Sequence, residues 1–488
     1  MAGGPMKEVA DGAAAPLAAS AGAQPANAAS AEAQPSARLH RELSSFGVLI
    51  LTLSCLSPVF SIYGVGADVL QHAGTGAAAL FLFGILATVV WVLVYAEIGS
   101  AYPYAGGDYV GVGAILGGGA GFASLVVWAV TTGPITALEA QTISVYLSDL
   151  MALDAPNSIT ILSLLASIAV ALLAVRSSAI VTGLFLALEM LAVLALIGVG
   201  MWHPVRGLAS VMVHPLTAAA NGTLIVPTAG ALALGAVSAV YATAGGNQAI
   251  VFGEELKQPR RVGRLVVIAG MVGGVATALP VIAVSLSAQD LSTILRSPAP
   301  FSAFVSSIAG PVAGRVLSAS VALAIFNALI VQVMFGARLF YSIARDDIFP
   351  GRMNRMLTRV HAASGAPRAA TLFIGAVSLA CCFLGTHLLV IFVTGIVTYT
   401  LGLVCLAVLV GRRKGMTGQA GWWRSPLHPL APLLGLLMAM GLCIADLLDP
   451  DAGRPSMVIL GAAIVLALLW HRLVLGKRPG GWSPRVIE

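Results

Sequence analysis

The sequence predicts an all-α polytopic membrane protein of twelve transmembrane helices, with a 5+5 inverted repeat in which helices 1 and 6 are broken, followed by two accessory helices. Three observations carry that expectation. Of 488 residues, 58% are hydrophobic and 9% charged, and the mean hydropathy is +0.94, whereas an average soluble domain is about 25% charged. Apolar runs of the roughly 20 residues needed to cross a ~30 Å hydrocarbon core recur twelve times. Two of these runs, five spans apart, are interrupted by residues that break helices.

Residues 1–40 are rich in Ala, Ser, Pro and Gly and lack the run of large aliphatics that a core or a signal segment requires, so they read as a disordered cytosolic tail. The spans then fall at about 45–70, 77–98, 119–148, 158–175, 179–202, 228–254, 263–287, 314–344, 369–386, 388–411, 429–447 and 456–473. A core over 41–411 holds two repeats, about 41–202 and 228–411. Residues 412–474 carry accessory helices 11 and 12, and 475–488 form a second cytosolic tail.

Basic residues test this order, because Lys and Arg concentrate in cytosolic loops. With the N-terminus inside, 22 of the 26 fall on the cytosolic side, and only Arg206, Arg296, Arg315 and Arg454 fall outside. The partition predicts a multi-pass protein of the plasma (cytoplasmic) membrane with both termini cytosolic. A net charge of +6 spread over such short clusters does not suit a nucleic-acid partner. The five cysteines sit inside apolar runs and read as small hydrophobes rather than a disulfide framework. Eight histidines lack metal-ligand spacing and no Gly-x-x-x-x-Gly-Lys-Ser/Thr motif is present. No metal, no cofactor and no enzymatic activity is therefore expected; the expected partners are a small-molecule substrate, protons and membrane lipid.

The first break is Ser54-Cys55-Leu56-Ser57-Pro58. Proline removes a backbone donor and clashes with the carbonyl four residues back. The second is Tyr241-Ala242-Thr243-Ala244-Gly245-Gly246-Asn247, where paired glycines each cost about 1 kcal/mol in a helix interior relative to Ala. Freed backbone at membrane depth is tolerated only where it is buried in protein or lines a cavity, and interrupted helices at matching places in two halves point to a midplane binding site. Pro58 could instead mark a simple kink, and Gly245-Gly246 could permit close helix packing.

Carboxylates inside the bilayer cost about 2.5–3.5 kcal/mol on insertion scales, so each invites a functional reading. Glu189 lies near the middle of span five and Glu139 well inside span three; both are candidates for proton coupling. Each could alternatively serve a structural hydrogen bond, Glu189 to the break in span one. Asn327, Gln332, Thr394, Thr398 and Tyr399 either line a pathway or join helices. Glu97, Glu254 and Glu255 fall at cytosolic helix ends near Lys257, Arg260 and Arg261, which suggests either a cytosolic gate of ion pairs or ordinary solvated charge.

Tyr95-Ala96-Glu97-Ile98-Gly99-Ser100-Ala101-Tyr102-Pro103-Tyr104-Ala105-Gly106-Gly107-Asp108-Tyr109 resembles the signature after the second helix of amino acid permeases in the amino acid-polyamine-organocation (APC) superfamily. Gly245 followed by Glu254-Glu255-Leu256-Lys257-Gln258-Pro259-Arg260-Arg261 is similar to its sixth-helix pattern. The stretch from Arg338 to Pro350 resembles the end of its eighth helix. The likeness covers roughly residues 40–411. Leu56-Ser57-Pro58-Val59 stands where the superfamily often has Gly-Ser-Gly, Gly246-Asn247 stands where an aromatic or aliphatic residue and Glu are common, and Glu189 stands near a place where many members carry a basic residue.

The resemblance implies a leucine-transporter-type fold and alternating access, with spans 1, 2, 6 and 7 rocking against spans 3, 4, 8 and 9 and Tyr241 as an aromatic gate. A half-helix that starts in mid-membrane suits a carboxylate, and one that stops there offers carbonyls to an ammonium. The substrate carboxylate is expected near Ser57, Val59, Gly245 and Gly246, and the amine near Ser54, Tyr241 and Ala242, with Thr243 and Asn247 in the same segment. The leading expectation is a secondary transporter of an amino acid or related amine. A polyamine or organic-cation carrier, which would use Glu139 and Glu189, and a non-transporting amino acid sensor are the alternatives.

Overall fold

The computed structural model describes residues 41–151, 156–172, 175–202, 204–361, 365–450, 453–478 and 482–484. The expected tail 1–40 lies outside the described residues.

Among the described residues a helix or broken helix lies on each of the twelve apolar runs, and a few begin on side-chain caps. Ser44 starts the Ser45–Leu56 helix by accepting the Gly47 N–H at 3.0 Å, and Thr228 starts Ala229–Thr243 through the Ala231 N–H at 3.2 Å. Each satisfies a donor that a helix terminus would otherwise leave bare. Among the described residues, eight helical segments are long and apolar enough to cross a membrane, including Gly118–Ser148, Pro259–Ser287 and Pro311–Arg345. Their outer faces carry exposed large aliphatics, such as Leu184, Leu191 and Leu194 on one helix and Val458 and Leu466 on another. Those faces suit lipid, and the chain is an all-α polytopic membrane protein.

Small residues set the closest helix contacts. Ala77–Ala101 lies against Val262–Ser287, where a Cβ on Gly270 would run into Val92, and against the Gly246–Ile250 turn, where one on Gly99 would stand 2.7 Å from Ile250 Cγ1. Without a hydrophobic drive between helices in lipid, such close backbone approach is what holds a bundle together. Long helices Gly118–Met151 and Pro311–Arg345 pack on each other, and Gly118–Met151 also packs on Thr386–Arg413.

Two regions amend the expected layout. The connections away from the basic end fold locally, into short helices Leu208–Val213, Leu291–Arg296 and Pro300–Ala309 and a two-stranded hairpin of Thr217–Ala218 with Leu224–Ile225. The hairpin is tied to the bundle by Thr75, whose N–H reaches the Leu216 carbonyl while its hydroxyl accepts the Leu216 N–H. At the basic end, part of the expected tail 475–488 packs back on the bundle: Leu475 is fully buried, and the Trp482 indole donates to the Asp346 carbonyl at 2.9 Å.

Candidate functional site

The first helix stops at Ser57, which adopts φ 43° and ψ 84°. Pro58 is the cause: with no N–H it cannot bond the Ser54 carbonyl. The chain restarts as Pro58–Phe60, passes through a π-helical turn at Ser61–Gly66, and continues as Ala67–Ala73. The donors at this restart are all engaged by protein. Glu189 Oε1 accepts the Val59 N–H at 2.9 Å and the Ser57 hydroxyl at 3.4 Å. The Phe60 N–H goes to Ser57 Oγ at 3.1 Å and the Ser61 N–H to the Ser57 carbonyl at 2.9 Å.

The second break comes after Ala229–Thr243. Ala244 is extended and Gly245 takes φ 150°. The chain then continues as two short 3-10 turns, Gly246–Ile250 and Gly253–Glu255, rather than the α-helical half expected from the sequence. The two glycines do different work. Gly245 combines a positive φ with close approach to the other break, since a Cβ there would lie 2.8 Å from Leu56 Cγ. A Cβ on Gly246 would collide with the Val266 carbonyl and stand 2.7 Å from the Gly270 nitrogen, so Gly246 serves helix packing.

Between the breaks lies a cavity of ≈ 60 Å³. On a measure where one water needs about 10–15 Å³, that is room for a few waters or a small solute. Of the residues expected at a substrate site, Tyr241, Gly245 and Asn247 line it, and Glu139 joins them from Gly118–Met151. Ser54, Ser57, Val59, Ala242, Thr243 and Gly246 do not reach its wall. Ser54 instead accepts from Asn327 Nδ2 at 3.3 Å, and the Thr243 carbonyl accepts from Thr88 Oγ1 at 3.2 Å, so both bond neighbouring helices.

Sequence reading missed Trp91, Trp128, Gln248, Phe335 and Thr400 on the wall. The signal available was the Trp91-to-Asn247 relation, in which the indole N–H donates to Asn247 Oδ1 at 3.2 Å, but the two lie 156 residues apart. Gln332 lines the cavity as one of its two expected alternatives; the side chains of Thr394 and Thr398 lie outside the described residues. A second cavity of ≈ 240 Å³, bordered by Asp68, Gln71, Gln141 and Thr386, lies on the side away from the basic end. Phe60 and Tyr241 belong to the walls of both cavities and stand as the partition between them.

Two buried carboxyls have one oxygen each without a partner. Glu139 is 2% exposed and its Oε2 makes no hydrogen bond; Glu189 is fully buried and its Oε2 is likewise unpartnered. Only Glu139 faces the cavity.

The acidic residues expected to form a gate find other cations than those expected. Glu255 pairs with buried Arg338 through two contacts, one at 3.0 Å, and Arg338 lies over the Phe252 ring. Glu254 holds Arg345 at 2.9 Å and also accepts the Ala105 N–H at 3.0 Å. Glu97 grips Arg412 by two bonds of 2.8 and 2.7 Å and accepts from Thr417 and from the Ser425 N–H, fixing the 412–425 connection. Arg260 stacks 5.8 Å from the Trp422 ring centroid. Leu43 adds a backbone bridge, its N–H to the Glu255 carbonyl and its carbonyl to the Lys257 N–H. These contacts tie together the helix ends on the basic side of the bundle.

A model of the amino acid permease family matches residues 43–469. The chain belongs to the amino acid permease family. The chain is 30% identical over 339 residues to the large neutral amino acids transporter small subunit 2 of Homo sapiens, covering 66% of this chain and 62% of that protein. It is 24% identical over 391 residues to the branched-chain amino acid permease BcaP of Lactococcus lactis subsp. cremoris (strain MG1363), covering 75% and 81%. The Asc-type amino acid transporter 1 of Mus musculus is 29% identical over 397 residues, covering 78% and 71%. The match thus spans less than two thirds of the length of the large neutral amino acids transporter subunit.

Proposed function

We propose that this permease is a secondary transporter that carries an amino acid or related amine across the plasma membrane by alternating access. The observation that carries this reading is the meeting of the two breaks, with Gly245 against Leu56 and a cavity bordered by Glu139, Asn247 and Gln332 beside them. A solute held there would be released to one side by moving Phe60 and Tyr241, and to the other by parting the Glu255–Arg338 and Glu254–Arg345 pairs. Twelve spans, a 5+5 inverted repeat and cytosolic termini complete the proposal, supported by the helices over the twelve apolar runs and the basic residues at one end.

Proton coupling is part of the same reading. Glu189 and Glu139 each keep one unpartnered, buried oxygen that could carry a proton. Glu189→Gln is expected to abolish acid-stimulated uptake while leaving exchange. A second reading, transport of a polyamine or other organic cation, is favoured by the free carboxyl oxygen of Glu139 at the cavity.

Uptake by purified protein in proteoliposomes tests the proposal. Accumulation of at least one amino acid or amine under a pH gradient, a sodium gradient or exchange conditions is expected; ligand binding with no flux under all three would make the protein a sensor instead.

A further inference from the structure

We propose that Asp108 carries the proton on the basic side of the cavity, taking it through the Tyr95 hydroxyl and giving it to water when that end of the bundle opens. This inference rests on the proton-coupled reading above and adds to it the place where the proton leaves.

Asp108 starts the Asp108–Leu116 helix, which lies between the second and third spans. It is 4% exposed, and no cation pairs with it among the described residues. Neutral donors meet its carboxyl instead. The Tyr95 hydroxyl donates to Oδ2 at 3.5 Å, and the Trp128 indole N–H, which completes no hydrogen bond of its own, approaches from the Gly118–Met151 helix. Both donors lead back to the cavity. Trp128 and Thr400 line it, the Tyr95 hydroxyl meets the Thr400 side chain, and the Tyr95 ring stacks at 4.6 Å on Trp91 of the same wall.

The charges on the surrounding elements are engaged elsewhere. Beside Tyr95 on Ala77–Ala101, Glu97 is held by Arg412 of Thr386–Arg413. Cys405 of that same helix stands by Tyr95, and Lys414 Nζ donates to the Ile115 carbonyl at the far end of the Asp108–Leu116 helix. Glu139 of Gly118–Met151 belongs to the cavity wall, and Arg345 is held by Glu254. Burial therefore dominates at Asp108 and pushes its carboxyl up to about 7, although the Trp128 and Tyr95 donors pull it down.

The segment around Asp108 is fastened to the gate at the basic end. Glu254 accepts the Ala105 N–H at 3.0 Å while holding Arg345, and the Tyr109 hydroxyl donates to Asp346 Oδ2 at 2.9 Å. Parting the Glu254–Arg345 pair loosens this segment and lets water reach Asp108. While the contacts hold, burial favours the neutral acid; in water the carboxyl returns toward its ordinary pKa of about 4 and gives up its proton. The transfer balances. A proton delivered from the cavity to the Tyr95 oxygen lets the Tyr95 O–H proton pass to Asp108 Oδ2, so the tyrosine stays neutral and the carboxylate becomes a carboxyl. On opening, that O–H bond breaks to water, leaving a carboxylate and a hydronium ion.

The test follows solute and protons together in proteoliposomes, with a mixture of radiolabelled neutral amino acids outside and a pH-sensitive dye sealed inside. Asp108→Asn keeps hydrogen-bonding atoms but cannot carry the proton. It should cut amino-acid-driven proton entry and acid-stimulated accumulation by about tenfold or more, while amino acid exchange stays within about twofold of the parent. Asp108→Glu should restore coupling, and Tyr95→Phe should slow proton entry severalfold with exchange retained. Unchanged proton entry in either Asp108→Asn or Tyr95→Phe would overturn the inference. So would loss of exchange together with coupling in an Asp108→Asn protein of unaltered melting temperature, because that is the mark of a structural role. Tyr95→Phe carries the test if Asp108→Asn fails to fold. If the unaltered protein moves amino acid without protons, the coupled reading fails and this inference with it; if it moves both and Asp108→Asn does the same, only this inference fails.

Discussion

Glu189 caps a helix restart through a residue 130 positions before it: its Oε1 accepts the Val59 N–H at 2.9 Å, in the first turn after the Ser57 break. A side chain from the Val175–Trp202 helix therefore holds the broken first helix in register. Removing the acceptor leaves a buried N–H unpaired, at a cost of about 1–3 kcal/mol. Glu189→Ala should lower the melting temperature of the purified protein, whereas Glu189→Gln, which keeps an acceptor oxygen, should lose much less. Equal melting of the two variants would remove the capping role.

The two glycines of the second break separate by experiment. Gly246→Ala drives a methyl into the Val266 backbone, which cannot swing aside, and overpacking of this kind costs about 1–3 kcal/mol. Gly245→Ala meets a movable Leu56 side chain but must hold φ 150°. Gly246→Ala should therefore be seen first in thermal stability, and Gly245→Ala first in uptake, because Gly245 and not Gly246 borders the cavity.

Arg338 and Glu255 are both nearly fully buried. Breaking such a pair by deleting one partner leaves an uncompensated charge and costs about 3–5 kcal/mol. Arg338→Ala should severely reduce yield and melting temperature. Glu254→Ala, whose pair with Arg345 is more exposed, should fold and shift the balance toward opening at the basic end, read as faster labelling of a reporter thiol placed there.

Trp482 ties the C-terminal segment to the bundle. Its indole N–H bonds the Asp346 carbonyl at 2.9 Å, and its ring meets Phe122 and His471 edge-on at 5.4 and 6.0 Å. Trp482→Ala should lower the melting temperature, and Trp482→Phe, which keeps the ring contacts and loses the bond, should fall between it and the parent. No difference among the three would mean the segment adds nothing to stability.

Much of this architecture is legible locally. Pro58 announces a break because it lacks a donor, and Gly245-Gly246 because two glycines interrupt an apolar run; the structure breaks the chain at both. The partners of the charged residues are not local. Reading by nearness in sequence set Glu97, Glu254 and Glu255 beside Lys257, Arg260 and Arg261, while folding brings Arg412, Arg345 and Arg338 from 315, 91 and 83 residues away. The same distance hid the Trp91 bond to Asn247, whereas the bond from Glu189 to the first break was one of the two readings its place in span five offered. The 3-10 turn after Gly245 was also hidden, and its Gly246 packs against Val266 and Gly270 of another helix.

The central claim is that the solute binds between the two breaks in a cavity that opens by turns to each side. Cys55 lines that cavity, so the most direct measurement is the rate at which a methanethiosulfonate reagent labels it in a variant whose other four cysteines are serine. The account predicts measurable labelling that a saturating transported solute slows at least severalfold. Labelling at the same rate with and without the solute, or no labelling of active protein at all, would contradict it.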